Sequence, residues 1–213
     1  MSDTAAFAPD WPSYYHAVKM GSPRHTLVRA LASIAARDRT GEPPVAVDLG
    51  CGGGRDTLLL LERGWQVHAI DAEAAAIDYL HARLGPQSAL AQRLETQVCS
   101  FDNVKWPQSA QLVNASFSLP FCPPDRFPRL WRTIEGALRD GGWFCGQFFG
   151  DRDEWSPYDN ITSQSRDALD TLLKNFAIVE LNEEEYDGET ATNQPKHWHL
   201  FHVVAHRSEP GAA

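Results

Sequence analysis

Two carboxylates and three glycines fall at spacings that suit the binding of a small charged ligand. Asp48 stands two residues before Gly50, and Gly52 and Gly54 follow at alternate positions; Asp71 comes about twenty residues after the glycines. Glycines so spaced let the backbone turn sharply and admit a ligand where a Cβ would block it. A dinucleotide turn has the spacing G-x-G-x-x-G and seats a pyrophosphate on a helix N-terminus. Here the order differs, and a buried carboxylate just before the turn would repel a pyrophosphate. The same carboxylate suits a ligand with a cationic end and no phosphates. Asp71 is placed to take a pair of ribose hydroxyls.

The elements that must position these residues are legible around them. Val45 to Leu49 is apolar and β-branched, which predicts a buried central strand. From Asp56 the run Leu58 to Leu61 predicts a helix, closed by Gly64. Val67 to Ile70 is a second strand, with Asp71 at its C-terminal end. S-adenosylmethionine (SAM), with its amino group and sulfonium, fits a strand–glycine turn–helix unit flanked by these two acids. The segment Asp48-Leu49-Gly50-Cys51-Gly52-Gly53-Gly54, followed by Asp71, resembles motifs I and II of the class I SAM-dependent methyltransferases. Gly54-Arg55-Asp56 and the Trp-bearing C-terminal strand are similar to the small single-domain, tellurite-resistance-type members.

The resemblance implies an α/β, Rossmann-like fold: a mostly parallel seven-stranded sheet, six strands parallel and one antiparallel, with helices on both faces. It implies S-adenosyl-L-methionine as cofactor and methyl transfer to a small-molecule acceptor as activity. Asp48, Gly50, Cys51, Gly52, Asp71 and Ala72 are then cofactor-binding candidates. Phe101 and Asp102 match by position the residues that pack on adenine and meet its amino group. Asn114 stands where many members carry Asp or Asn. On the substrate side the candidates are Tyr14 and Tyr15 before the first long helix, Ser116, Phe117 and Phe121 at the mouth of the sheet, and Arg152 and Trp155 in a charge-dense loop. Each has a plainer reading, as a helix anchor, a strand cap or a solvated loop. No residue is assigned a catalytic role. Transfer from a sulfonium is an in-line displacement on an activated electrophile, and a soft nucleophile needs no base. His16 is a further candidate base near the cleft.

The remaining pattern predicts a helix over Arg24–Arg39 and another over Ala74–Leu84, then strands over Glu95–Ser100 and Ala110–Phe117. A helix over Asp125–Leu138 ends in the turn Arg139–Gly142, followed by a strand over Trp143–Phe149. A helix over Arg166–Phe176, a strand from Ala177 toward Tyr186, a loop over Asp187–Pro195 and a closing strand over Lys196–Ala205 complete the chain. Residues 1–40 are expected to cover the cofactor cleft, 41–207 to form the methyltransferase domain, and 208–213 to be disordered. A formal net charge of −9 argues against nucleic acid or an anionic membrane as partner. No secretory signal or membrane-length apolar stretch is visible, and four cysteines far apart read as reduced thiols of a cytoplasmic protein. His197 and His199 share a strand face, but no third ligand has a fixed spacing to them, so no metal is assigned. Two rival readings share the glycine turn: a SAM-binding sensor without catalysis, and an NAD-dependent oxidoreductase. The sequence does not set the acceptor or the oligomeric state.

Overall fold

Alternation of side chains along each strand decides which layer every residue joins. The structure, a computed structural model, describes residues 6–18, 21–35, 43–85 and 88–208, without the side chains of Pro12, Tyr15, His16 and Ala17. The candidate roles of Tyr15 and His16, the run of the second helix to Arg39, and the tail after Ser208 therefore lie outside the described residues.

The elements in chain order are α1 (Trp11–Val18), α2 (His25–Ala35), β1 (Val45–Leu49), α3 (Arg55–Glu62), β2 (Gln66–Asp71) and α4 (Ala74–Leu84). Then come β3 (Leu94–Val98), β4 (Ala110–Ala115), α5 (Phe127–Ala137), β5 (Leu138–Gly150), the two-residue β6 (Ser163–Gln164), α6 (Arg166–Leu172), β7 (Phe176–Glu189) and β8 (Pro195–Arg207). The strands lie in the order β3-β2-β1-β4-β5-β8-β7, with β6 on the end of β5. Neighbours from β3 to β5 are parallel, and β8 runs antiparallel to both β5 and β7. This is the Rossmann-like methyltransferase arrangement that the sequence implies, with β6 as a short addition.

Each sheet face carries its own core. Val47, Leu49, Val113, Phe144 and Phe148 pack under α5 and α6, meeting Leu130, Trp131, Ile134 and Leu169. Ala46, Leu112, Trp143 and Cys145 point the other way, into Leu27, Leu31, Leu60, Leu61 and Leu80 of α2, α3 and α4. Each large aliphatic side chain so buried contributes roughly 1.5–3 kcal/mol. Among the described residues no helix is long and apolar enough to cross a membrane.

Two expectations are corrected. Arg139–Gly142 does not end α5 as a free turn; it lies inside β5, where four residues bulge between the pairs Ala110–Leu138 and Leu112–Trp143. Gly141 supplies the positive φ of 69° that such a bulge requires. Nor is Asp187–Pro195 all loop. β7 and β8 stay paired as far as Glu189 and Pro195, so only the residues between them form the turn. β5 pairs β8 only as far as Leu200, so this hairpin projects past the C-terminal ends of the central strands.

Candidate functional site

The glycine turn is held from three sides. Gly50, Gly52 and Gly54 have φ of 73°, 52° and 76°, a region that disfavours any side chain with a Cβ. Gly50 N and Cys51 N both donate to the carbonyl of Ile70 on β2, at 2.8 and 2.9 Å. Asp71 accepts from Gly52 N at 2.8 Å and from Glu73 N at 3.0 Å, so one carboxylate ties the turn to the start of α4. The three glycines do different things. A Cβ on Gly50 would lie 2.3 Å from the Cβ of Ser118, and one on Gly54 would lie 2.3 Å from Cδ1 of Leu80. Gly54 therefore serves the packing of α3 on α4.

Beneath the turn lies a buried polar row. Asp48, Asn114 and Cys145 are level with one another on β1, β4 and β5. Asp48 accepts from Thr57 Oγ1 at 2.5 Å and from Asn114 Nδ2 at 2.9 Å. Asn114 also donates to Asp56 at 3.3 Å. Burial, reinforced by the neighbouring carboxylate of Asp56, pushes the Asp48 carboxyl up to about 7, against the opposing hydrogen bonds. The Cys51 thiol is likewise driven well above its usual range, first by burial and then by Asp48 and Asp71, which keeps it protonated.

Three adjoining cavities open along the C-terminal edge of the strands, the expected side of an open parallel sheet. A small polar one of about 50 Å³ is lined by Asp48, Cys51, Asp56, Arg55 and Arg83 together with Gly50, Gly52 and Gly53. A second, of about 230 Å³, is lined by Asp71, Ala72, Phe101, Asp102, Ser116 and Phe117 among others. The third, about 330 Å³, is walled by Phe7, Trp11, Phe121, Phe149, Trp155 and Trp198 and closed by the tip of the β7–β8 hairpin. Tyr14 lines all three. Phe117, at the junction of the second and third, has a φ of 55°, a conformation costly for an aromatic residue. Gln147 fixes it by accepting from Phe117 N at 3.2 Å, and the Arg24 guanidinium lies 4.4 Å from its ring centroid.

The residues singled out from sequence therefore separate into groups. Asp48, Gly50, Cys51, Gly52, Asp71, Ala72, Phe101, Asp102, Ser116, Phe117, Phe121, Tyr14 and Trp155 all line these cavities. Asp102 is already paired, accepting from Arg126 at 2.7 Å. Asn114 does not line a cavity; it is fully buried and braces Asp48 and Asp56 from behind. Arg152 does not reach the cavities either. Its guanidinium is held by Glu183 and Glu185 of β7 at 3.1 and 2.7 Å. His197 bonds Asp187 and Glu185, and His199 bonds Glu183, on that same hairpin. Sequence reading missed Arg55 and Asp56 as cavity residues, although their place directly after the glycines pointed to them. It also missed Trp198, Lys196 and Asp153, whose meeting across 43 residues has no local signature.

Residues 46–142 match the family model described as a methyltransferase domain. The fold is similar to that of 1,6-didemethyltoxoflavin-N1-methyltransferase from Burkholderia thailandensis, solved with 1,6-didemethyltoxoflavin and S-adenosylhomocysteine. That likeness has a TM-score of 0.65 at 22% identity, over 96% of this chain and 93% of the other. TehB from Haemophilus influenzae is similar with a TM-score of 0.70 at 15% identity, over 92% of this chain and 67% of that one. Magnesium protoporphyrin IX methyltransferase from Synechocystis, solved with SAM, gives 0.62 at 12% identity, over 96% and 86%. The comparison with curated proteins gives no match.

Proposed function

We propose that this chain, whose residues 46–142 match a methyltransferase domain, is a class I, SAM-dependent methyltransferase that methylates a small-molecule acceptor held in the third, aromatic cavity. The observation that carries the reading is Tyr14, which lines the polar, the nucleoside-sized and the aromatic cavities alike. A donor lying across the first two would present its reacting end to the third.

The donor set fits SAM. The polar cavity holds two carboxylates, Asp48 and Asp56, and two guanidinium groups, Arg55 and Arg83. Charges of both signs suit the zwitterionic amino-acid end, whereas a pyrophosphate would bring two negative charges against the acids. Gly50, with a Cβ excluded by Ser118, leaves the backbone bare where the ligand passes. Asp71 lines the second cavity with a carboxylate that would accept from the ribose hydroxyls, and Phe101 offers a ring to the base. When bound, the sulfonium supplies a methyl group already activated for displacement. The acceptor's lone pair would form the new bond to carbon, the pair of the breaking carbon–sulfur bond would stay on sulfur, and any acceptor proton would leave to bulk solvent as product departs. The chain's own work is to align the acceptor and exclude water.

The test is turnover of methyl-labelled SAM by the purified protein with a panel of small acceptors, alongside calorimetry with S-adenosylhomocysteine and NAD. Acceptor-dependent formation of S-adenosylhomocysteine is expected. Binding without turnover across the panel would favour a sensor, and tight NAD binding without SAM binding would overturn the assignment.

A further inference from the structure

The third cavity is built for one kind of occupant. Its walls are the rings of Phe7, Trp11, Phe117, Phe121, Trp155 and Trp198, and among the described residues its lining holds no Lys or Arg side chain. The two acids at its edge are already engaged. Asp10 accepts from Ser13 N and Oγ, which holds its carboxyl below the usual range, and Glu154 accepts from His197 N at 2.8 Å. An anionic acceptor would find no counter-charge and two repelling carboxylates there.

Aromatic walls with acids nearby would ordinarily suit a cation. Here that role is already filled by a residue outside the cavity lining. Lys196, fully buried, lies 4.0 Å from the Trp198 ring centroid, 4.5 Å from Trp155 and 5.1 Å from Phe149, yet does not line the cavity. Its ammonium donates to Asp153, which also accepts from Trp155 N at 3.0 Å and His199 N at 3.2 Å. The ammonium draws ring electron density toward itself. A second cation against the same rings would gain less, while a flat, electron-rich π-system would gain more.

We infer that the acceptor is an uncharged planar aromatic or heteroaromatic molecule stacked between these rings, with Lys196 and Asp153 as positioning residues for the wall. The inference rests on the methyltransferase reading for its place in a reaction, but the cavity's selectivity is measurable without turnover. In a cavity of about 330 Å³ there is room for two or three fused rings.

The experiment is calorimetry on the full chain saturated with S-adenosylhomocysteine, using four probes. 2-Naphthol is flat and neutral, 2-naphthoate flat and anionic, decahydro-2-naphthol neutral and puckered, and tetramethylammonium a compact cation. Saturable binding of 2-naphthol, at least tenfold tighter than each of the others, is expected. Trp155→Ala should weaken 2-naphthol tenfold or more while the S-adenosylhomocysteine affinity stays within twofold. Equal binding by any other probe, no saturable 2-naphthol binding, or a Trp155→Ala protein that binds 2-naphthol normally would overturn the inference. The probe series on the unaltered chain decides the matter if the variant does not fold. Failure of S-adenosylhomocysteine itself to bind would instead count against the methyltransferase reading.

Discussion

Single residues in this site carry two duties at once. Asp71 is proposed as the ribose ligand, and it is also the clasp between Gly52 N and Glu73 N. A carboxylate oxygen has lone pairs for both, so the duties coexist. Removing it costs the charge-assisted bonds to the ligand and loosens the turn that receives the ligand. Asp71→Ala should therefore weaken S-adenosylhomocysteine binding by at least about 1.5–3 kcal/mol, the usual worth of hydrogen bonds to a charged group. Calorimetry measures this, and an unchanged affinity would move the ribose contact to another side chain. Asn114 shows how strand pattern and packing divide the information. Its place on β4, level with Asp48, is legible from the strand pattern. That its amide is spent on Asp48 and Asp56 follows from packing, which the local sequence does not encode.

Elements were legible wherever their own residues decide them. α4 runs Ala74–Leu84 as its apolar spacing and Gly85 dictate, and β1 and β2 are fixed by short β-branched runs. Legibility failed where a partner decides instead. The strand from Ala177 toward Tyr186 is as expected, but Asp187 to Glu189, expected as loop, also pairs residue by residue with β8. Acids along this part of β7 meet His197, His199 and Arg152, contacts that no local pattern announces. The glycine turn offers an element-scale test of which glycine serves the ligand. Gly54 has a positive φ and no room for a Cβ against Leu80, and it does not line the polar cavity. Gly54→Ala should lower stability by about 1–2 kcal/mol for the backbone and about 1–3 kcal/mol for overpacking α3 on α4. Urea denaturation reads the loss, with S-adenosylhomocysteine affinity held within about threefold, about 0.7 kcal/mol. Weakened binding at unchanged stability would assign Gly54 to the ligand instead.

At the scale of the whole molecule, the sheet brings the polar row, the glycine turn and the aromatic chamber to one edge, and it does so at some expense to the fold. Asp48 is buried beside Asp56, and although Arg55 pairs Asp56 at 3.5 Å, the Asp48 carboxyl rises from 3.8 to about 7. A group raised in this way binds its proton more tightly folded than unfolded. Its contribution to stability is fully present below about 3.8, erodes as pH climbs, and is gone above about 7. Glu183 and Glu185 are lowered by His199 and Arg152 and act in the opposite sense, so the pH curve of the unaltered chain mixes the two. A difference isolates Asp48. Asp48→Asn keeps the size of the side chain and removes the titration. Relative to the unaltered protein, the variant's urea midpoint should shift upward between about pH 5 and about pH 8, because only the original loses stability at this site over that range. Both proteins are measured without ligand, since a bound cationic group would itself relieve the carboxylate. Midpoints that run parallel across the range would mean that Asp48 is already ionised in the fold at pH 5, with Arg55, which pairs Asp56 at 3.5 Å, carrying more of the compensation than burial removes.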